Sequence, residues 1–403
     1  MNSQTDLRSL DPSQIDQWIA TRRDIHANPE LRFEEHRTAE LVAKRLTALG
    51  LEVETGIGRT GVVGLLRGRA EGQNKPRMIG LRADMDALPI LEHNTFAHAS
   101  RIPGKMHACG HDGHVAMLLG AAQVLAEQPD FHGSVAFIFQ PAEEGGAGAQ
   151  RMIEDGLFDR YPCDAVFAMH NWPGLPEGEF AAHLGPVMAS SNEFHIVIHA
   201  KGAHAAMPDL GIDPVVIAAQ LITALQTVVS RTCKPVEPAV LSVTQLNAGE
   251  AINVIPDRAT LSGTVRTFSI ETLDLIEQQL RSLSQGLCAS FGATAEVHFE
   301  RSYPPTINTP EHAQLAAQAI ASIPGVKAVH ANLPPTMGAE DFAYMLMKKP
   351  GAYLWIGNGG GAHRSEGHGL GPCTLHNPSY DFNDRVLPMG VQAWQAIVHK
   401  FLG

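Results

Sequence analysis

MIGLRAD, residues 78–84, is a short apolar run that ends on an acidic residue. Its length and composition read as a β-strand covered on both faces, and the same reading applies to SVAFIFQ (134–140), AVFAMH (165–170) and AYLWIG (352–357). Helix-length segments, such as His114–Glu127, separate the runs. Buried strands alternating with helices predict a parallel α/β sheet. Helices also open the chain. Asp11-Pro12 is a cap followed by proline at the first helical position, Ile15, Trp18, Ile19, Arg22 and Ile25 follow at helical spacing, and a second helix from about Glu34 to Leu49 stops at Gly50.

Between about Gly185 and Arg301 the texture changes. FHIVIHAKG (194–202) alternates with period two, which puts His195 and His199 on the exposed face of a strand. A helix begins at Asp213-Pro214, AVLSVTQLN and ATLSGTVRTF read as a strand pair, Ser269 opens another helix, and ATAEVHFE closes the region. Strand, helix, strand, strand, helix, strand is the ferredoxin-like βαββαβ unit. The expected architecture is an α/β, mostly parallel-sheet catalytic domain in two parts, 1–185 and 302–403, with a lid or dimerisation domain inserted over 186–301.

At 403 residues, with 44% hydrophobic and 18% charged side chains, the chain is too long for one small module and too apolar for disorder. Its 30 Lys+Arg against 42 Asp+Glu give a net charge of −12, which argues against nucleic acid or an anionic membrane as the main partner. The opening residues show no basic segment followed by an apolar one, and the longest apolar candidate, 215–229, is broken by Gln220, Thr223, Gln226 and Thr227. Five cysteines, odd in number and widely spaced, argue against a disulfide framework. A soluble, cytoplasmic protein is expected.

Ligands of open α/β sheets bind beyond the carboxyl ends of the strands. There stand Asp84 and Asp86 after the first run, Glu143 and Glu144 after the second, and His170 after the third. Between the first two runs, KMHACGHDGH places His107, Cys109, His111, Asp112 and His114 within eight residues. Taken singly, each has a bland reading: a buried thiol, a core imidazole, a solvated helix start. Together, thiolate, imidazole and carboxylate groups suit Zn²⁺, Mn²⁺, Ni²⁺ or Co²⁺ rather than an all-oxygen cage. The pattern alone does not fix which histidines take part.

The chain resembles the di-metal aminoacylase/carboxypeptidase clan, in its branch of hippurate hydrolases and indole-acetyl-amino-acid hydrolases. The resemblance runs from HANPELRFEEHRTA (26–39) through RADMDALP, GKMHACGHDGHVAMLLGAA, FIFQPAEEGGAGA, MHNWPG, KGAHAAMP, INVIPD, GTVRTF and MGAEDFAY to TLHNPSYDFND (374–384). It implies that Cys109, His111, Glu144, His170 and His376 bind two divalent ions and that Glu143 is the catalytic carboxylate. Asp86 occupies a position that orients a ligand in more distant relatives. Asp84 has no definite part, and His363 and His368 in the glycine loop compete with His376. The resemblance further implies that His204, in the insertion and often acting in the partner subunit, stabilises the oxyanion, and that Asn253 and Arg266 hold the substrate, Arg266 by its α-carboxylate.

The expected activity is metal-dependent hydrolysis of N-acyl or N-aroyl amino acids, with Glu143 activating a metal-bound water, in a homodimer or tetramer assembled through the insertion. Three alternatives stand beside it. One is a di-metal carboxypeptidase or dipeptidase on small peptides, one a cysteine amidase using Cys109 and His111, and one a catalytically silent binding member of the family.

Overall fold

In the computed structural model, which describes residues 10–72 and 75–403, the four apolar runs become β1 (Arg77–Asp84), β2 (Gly133–Gln140), β3 (Ala165–Pro173) and β4 (Gly351–Gly359). They lie in the order β2-β1-β3-β4, every neighbour parallel, with Leu81 opposite both Phe137 and Phe167. All nine residues of β4 are buried, as a strand covered on both faces must be. Among the described residues the sheet has eight strands, because antiparallel and short pieces extend both edges. Glu52–Ile57 and Gly61–Arg67 form a hairpin that pairs antiparallel with β2, a feature the apolar-run reading did not anticipate. Glu179–Ala181 and Ala328–His330 extend the far side.

Three helices pack on one another beside these strands: α1 (Pro12–Ala27), α2 (His111–Glu127) and α3 (Leu387–Leu402). The Asp11 side chain accepts from Ser13 N at 2.9 Å and Pro12 follows it, so α1 starts where the sequence predicts. α2 packs against α1, α3 and β1, and almost its whole circumference is buried. Charge is buried with it. Arg22 of α1 is fully enclosed and reaches Asp384 at 2.7 Å, Asp381 at 3.0 Å and Asp112 at 3.5 Å. His26, one turn on, meets Asp112 at 2.9 Å and Glu92 at 3.2 Å. Such charges are tolerable inside only because each has partners. These elements belong to one compact unit made of the chain up to Gly185, Ile307–Pro334 and Asp341–Gly403.

The second unit comprises Pro186–Thr306 with Pro335–Glu340. Its strands Ser191–His199, Ala239–Ala248, Arg258–Thr267 and Thr294–Tyr303 form an antiparallel sheet in the order second, third, first, fourth, with helices Pro214–Thr227 and Ile270–Ser290. This is the ferredoxin-like arrangement. Phe194, Ile196 and Ile198 meet Ile217, Leu221, Leu225, Leu273, Ile276 and Leu280 in its core, while His195 and His199 are exposed on the other face. By length and composition Pro214–Thr232 is apolar enough to cross a bilayer, yet Ile217, Ala218, Leu221, Leu225 and Val228 are buried against the sheet.

Candidate metal centre

The carboxyl ends of β1, β2 and β3 and the start of α2 bring the acidic, thiol and imidazole groups together. Gly110, at φ +91°, turns the chain from Cys109 into α2, so His111 and Asp112 occupy the first helical turn. Cys109, His111 and Glu144 offer ligand atoms within 4.8 Å of one another, and so do Asp84, His111, His114 and His170. His170 Nε2 stands 3.4 Å from Cys109 Sγ. His376, from the loop preceding α3, puts Nε2 3.1 Å from Glu144 Oε1 on a backbone at φ +61°.

The hydrogen bonds decide which ring nitrogens are available. His111 Nδ1 faces the Asp86 carbonyl at 2.8 Å, and a carbonyl only accepts, so Nδ1 carries a proton and Nε2 is the nitrogen left to face a ligand. That Nε2 is buried without a hydrogen-bond partner among the described residues. His170 repeats the arrangement with its own Nδ1 donating to the Asn171 carbonyl at 2.7 Å. His114 differs, because the Asn171 N–H donates to its Nε2 at 3.0 Å and its Nδ1 meets Asp84 Oδ1 at 2.6 Å. Both of its nitrogens are spent. Asp84 is likewise committed, its second oxygen taking Arg82 Nη1 at 2.8 Å.

Asp86 shapes the QPAEE turn. Its two oxygens accept the backbone N–H of Glu143 at 3.0 Å and of Glu144 at 2.9 Å, while Ala142 adopts φ +53° and the helix that begins at Glu143 kinks at once. One carboxylate thereby fixes the main chain of two others. Glu144 turns towards Cys109 and His376, whereas Glu143 comes within 4.8 Å of an oxygen of Asp341. Asp341 is itself held by Gln140, Arg82 and the Ala149 N–H. Glu35 supports the turn from behind, accepting from Ala142 N at 2.9 Å, and burial raises its carboxyl to about 7.

The electrostatics call for a cation. Burial, then the charges of Glu144, Glu143 and Asp84, push the Cys109 thiol well above its usual value. Burial, with His114 nearby, holds His170 far below the usual imidazole value and therefore neutral. A thiol so suppressed is a poor nucleophile, which counts against the cysteine-amidase alternative, whereas a dication would ionise it. A buried imidazole nitrogen without a hydrogen bond, a neutral second imidazole, a thiol and a carboxylate are a donor set that fits divalent metal.

His363 and His368 lie elsewhere. Their Nε2 atoms bind the Asp381 carbonyl at 3.2 Å and the Asp381 carboxylate at 3.1 Å. In the second unit, exposed His204 lies in a two-residue strand, Ala203–His204, paired with Val254–Ile255, and Ala205 N donates to the Asn253 carbonyl at 3.0 Å. His204 and Asn253 line one cavity of about 560 Å³. Arg266, half-buried, approaches the Ser190 carbonyl at 3.5 Å near the far end of the Arg258–Thr267 strand. Val254–Ile255 leads into that strand at Arg258. Eight residues of strand, roughly 26 Å, therefore separate the Arg266 end from the His204–Asn253 end. Sequence reading missed the supports Asn171, Tyr380, Arg82, Asp341 and Glu35. Asn171 and Tyr380 were visible as the neighbour of His170 and as part of NPSYDFND, without any sign of their partners.

The profile described as Peptidase family M20/M25/M40 matches residues 80–400. A protein named thermostable carboxypeptidase 2, from Saccharolobus solfataricus, is 41% identical over 97% of both chains. The hippurate hydrolase of Campylobacter jejuni is 40% identical, over 94% of this chain and 95% of its own. Among solved structures, a Bacillus subtilis protein described as a dinuclear metal-binding peptidase from the M20 family superposes with a TM-score of 0.83 at 36% identity, over 97% and 99% of the two chains.

Proposed function

Since the chain belongs to peptidase family M20/M25/M40, a family of hydrolases, we propose that it is a metal-dependent amidohydrolase that cleaves N-acyl and N-aroyl amino acids. The observation that carries this reading is the splaying of Glu143 and Glu144 by Asp86, which leaves one carboxylate for the ligand cluster and its neighbour for proton transfer. Cys109, His111, Glu144, His170 and His376 would hold two divalent ions, a reading supported by the dinuclear relative. Mixed thiolate, imidazole and carboxylate donors suit Zn²⁺, Mn²⁺, Ni²⁺ or Co²⁺. The ions supply Lewis acidity and make water acidic enough to lose a proton near neutral pH.

Glu143 takes a proton from the attacking water, whose oxygen bonds to the scissile carbonyl carbon. His204 donates to the oxyanion. As the C–N bond breaks, Glu143 returns its proton to the leaving amine, releasing a carboxylic acid and a free amino acid. Arg266 pairs with the α-carboxylate and Asn253 helps to orient the substrate. Because Arg266 and the His204–Asn253 pair lie towards opposite ends of the Arg258–Thr267 strand, a single bound amino acid cannot meet both from the same insertion. That separation supports a homo-oligomer in which a second copy supplies His204 and Asn253. The five cysteines, all unpaired, favour the cytoplasm.

A carboxypeptidase or dipeptidase activity shares the scissile amide and is favoured by the name of the 41%-identical relative. Comparing kcat/KM for hippurate, N-acetyl and indole-acetyl amino acids with that for dipeptides and blocked peptides separates the two. Better turnover of the N-acyl amino acids, lost on chelation and unaffected by thiol alkylation of the loaded enzyme, is expected. Preference for peptides would move the assignment to the alternative, and activity surviving full metal removal would end the metal reading.

A further inference from the structure

Asn171 is fully buried next to His170 and makes five directed contacts, one of them from its side-chain Nδ2 to His114 Nε2 at 3.0 Å. Its N–H donates to His114 Nε2 at 3.0 Å, and its carbonyl accepts from His170 Nδ1 at 2.7 Å. Its side-chain Nδ2 donates to the Cys109 carbonyl at 2.7 Å, while its Oδ1 accepts from the Tyr380 hydroxyl at 2.6 Å. The contacts to Cys109 and Tyr380 fix the carboxamide's orientation, since only the nitrogen can serve a carbonyl. One residue therefore governs both members of the Cys109–His170 pair.

From this geometry, and resting on the metal-centre reading above, we infer that Asn171, held by Tyr380, is a positioning residue that sets the Cys109 thiol and the His170 imidazole for the metal. The main-chain carbonyl fixes His170 as the Nδ1–H tautomer, so that Nε2 faces Cys109 Sγ. The side chain acts on Cys109 by pinning its carbonyl at the turn into α2. That turn has no slack, because a Cβ on Gly110 would overlap both Asn171 Nδ2 and Tyr380 Oη. Behind Asn171, His114 and Asp84 pass the constraint to Arg82, whose guanidinium also reaches Gln140 and Asp341. The carboxamide is thus braced from β1, β2 and the loop that precedes α3.

Asn171→Ala keeps both main-chain contacts and removes the carboxamide, and with it the bonds to the Cys109 carbonyl and the Tyr380 hydroxyl and the approach to His114 Nε2. Tyr380→Phe removes one hydroxyl and leaves the carboxamide less firmly held. The test is Co²⁺ titration of the full-length protein, following the thiolate-to-cobalt charge-transfer absorption, with affinity measured by chelator competition. Supports of this kind typically change metal affinity by about 10–100-fold. A loss in that range is expected for Asn171→Ala, with a weakened or displaced charge-transfer band, and a smaller loss in the same direction for Tyr380→Phe. Affinity within about twofold of wild type and an unchanged band in both variants would overturn the inference. If Asn171→Ala does not fold, Tyr380→Phe decides alone. A wild-type protein that takes up no Co²⁺ overturns the metal-centre reading, and this inference with it; a wild type that loads normally beside unaffected variants overturns the inference alone.

Discussion

His376 Nε2 stands 3.1 Å from Glu144 Oε1, and the backbone that carries the imidazole there is left-handed, at φ +61°. A non-glycine residue in that conformation costs on the order of 1 kcal/mol. The position therefore sacrifices stability to aim a side chain. His376→Gly should raise the stability of the metal-free protein by about 1 kcal/mol while lowering bound metal per chain. Thermal unfolding in chelator and elemental analysis after reloading check the two halves; a variant that is less stable and fully loaded would show that His376 serves packing instead.

Glu143→Gln tests the division of labour within the QPAEE turn. The backbone N–H at position 143 can still donate to Asp86, so the turn and its ligands should persist. Losing general acid–base action should lower kcat about 10²–10⁴-fold with metal content unchanged. A variant retaining more than about a tenth of wild-type kcat would remove Glu143 from proton transfer.

The separation of Arg266 from His204 gives a complementation test. His204→Ala and Arg266→Ala should each be nearly inactive, with His204→Ala losing about 10²–10³-fold in kcat. A heterodimer of the two, co-expressed and purified through different tags, holds one complete site if residues are shared across the interface, and so regains about half of wild-type activity per chain. A heterodimer as inactive as its parents would mean that each chain supplies its own histidine.

His26 makes stability fall in mild alkali. Burial works against its charge, but Asp112 and Glu92 outweigh burial and raise the imidazole to about 10, against about 6.5 when unfolded. A raised folded value means that the native state binds the proton more tightly. The stabilisation is full below about pH 6.5 and disappears as pH rises through about 10. Unfolding free energies of wild type and His26→Gln should differ most near pH 6 and converge near pH 10; a constant difference would show that His26 contributes packing rather than charge.

The buried parallel strands were legible because solvent touches neither face, so β1–β4 are continuous apolar runs. Glu52–Ile57 was not, since this edge strand is largely exposed and carries no such run, and Gly61–Arg67, though apolar, lies outside the four runs on which the reading rests. Glu143, Glu144 and His170 could be singled out because each terminates or adjoins a legible run, and Cys109 and His111 because they sit in a dense motif just ahead of a helix-length segment. Tyr380 and Asn171 lie 209 residues apart, and no local pattern encodes their pairing. His114 shows the opposite limit: the motif offers it as a ligand, but only its hydrogen bonds reveal that both nitrogens are occupied. Asp84, undecided from sequence, becomes a brace for the same reason.

The Arg22–Asp384 ion pair joins residues 362 positions apart in the chain. At about 5–20 residues per second, a ribosome needs roughly 20–70 s to travel from one to the other. Throughout that interval Asp381 and Asp384, two of the three carboxylates that enclose the guanidinium, do not yet exist. The unit that holds Arg22 therefore cannot complete this charge network until Asp384 has been made, whereas the ferredoxin-like insertion, whose strands pair over far shorter separations, can start folding earlier on the nascent chain.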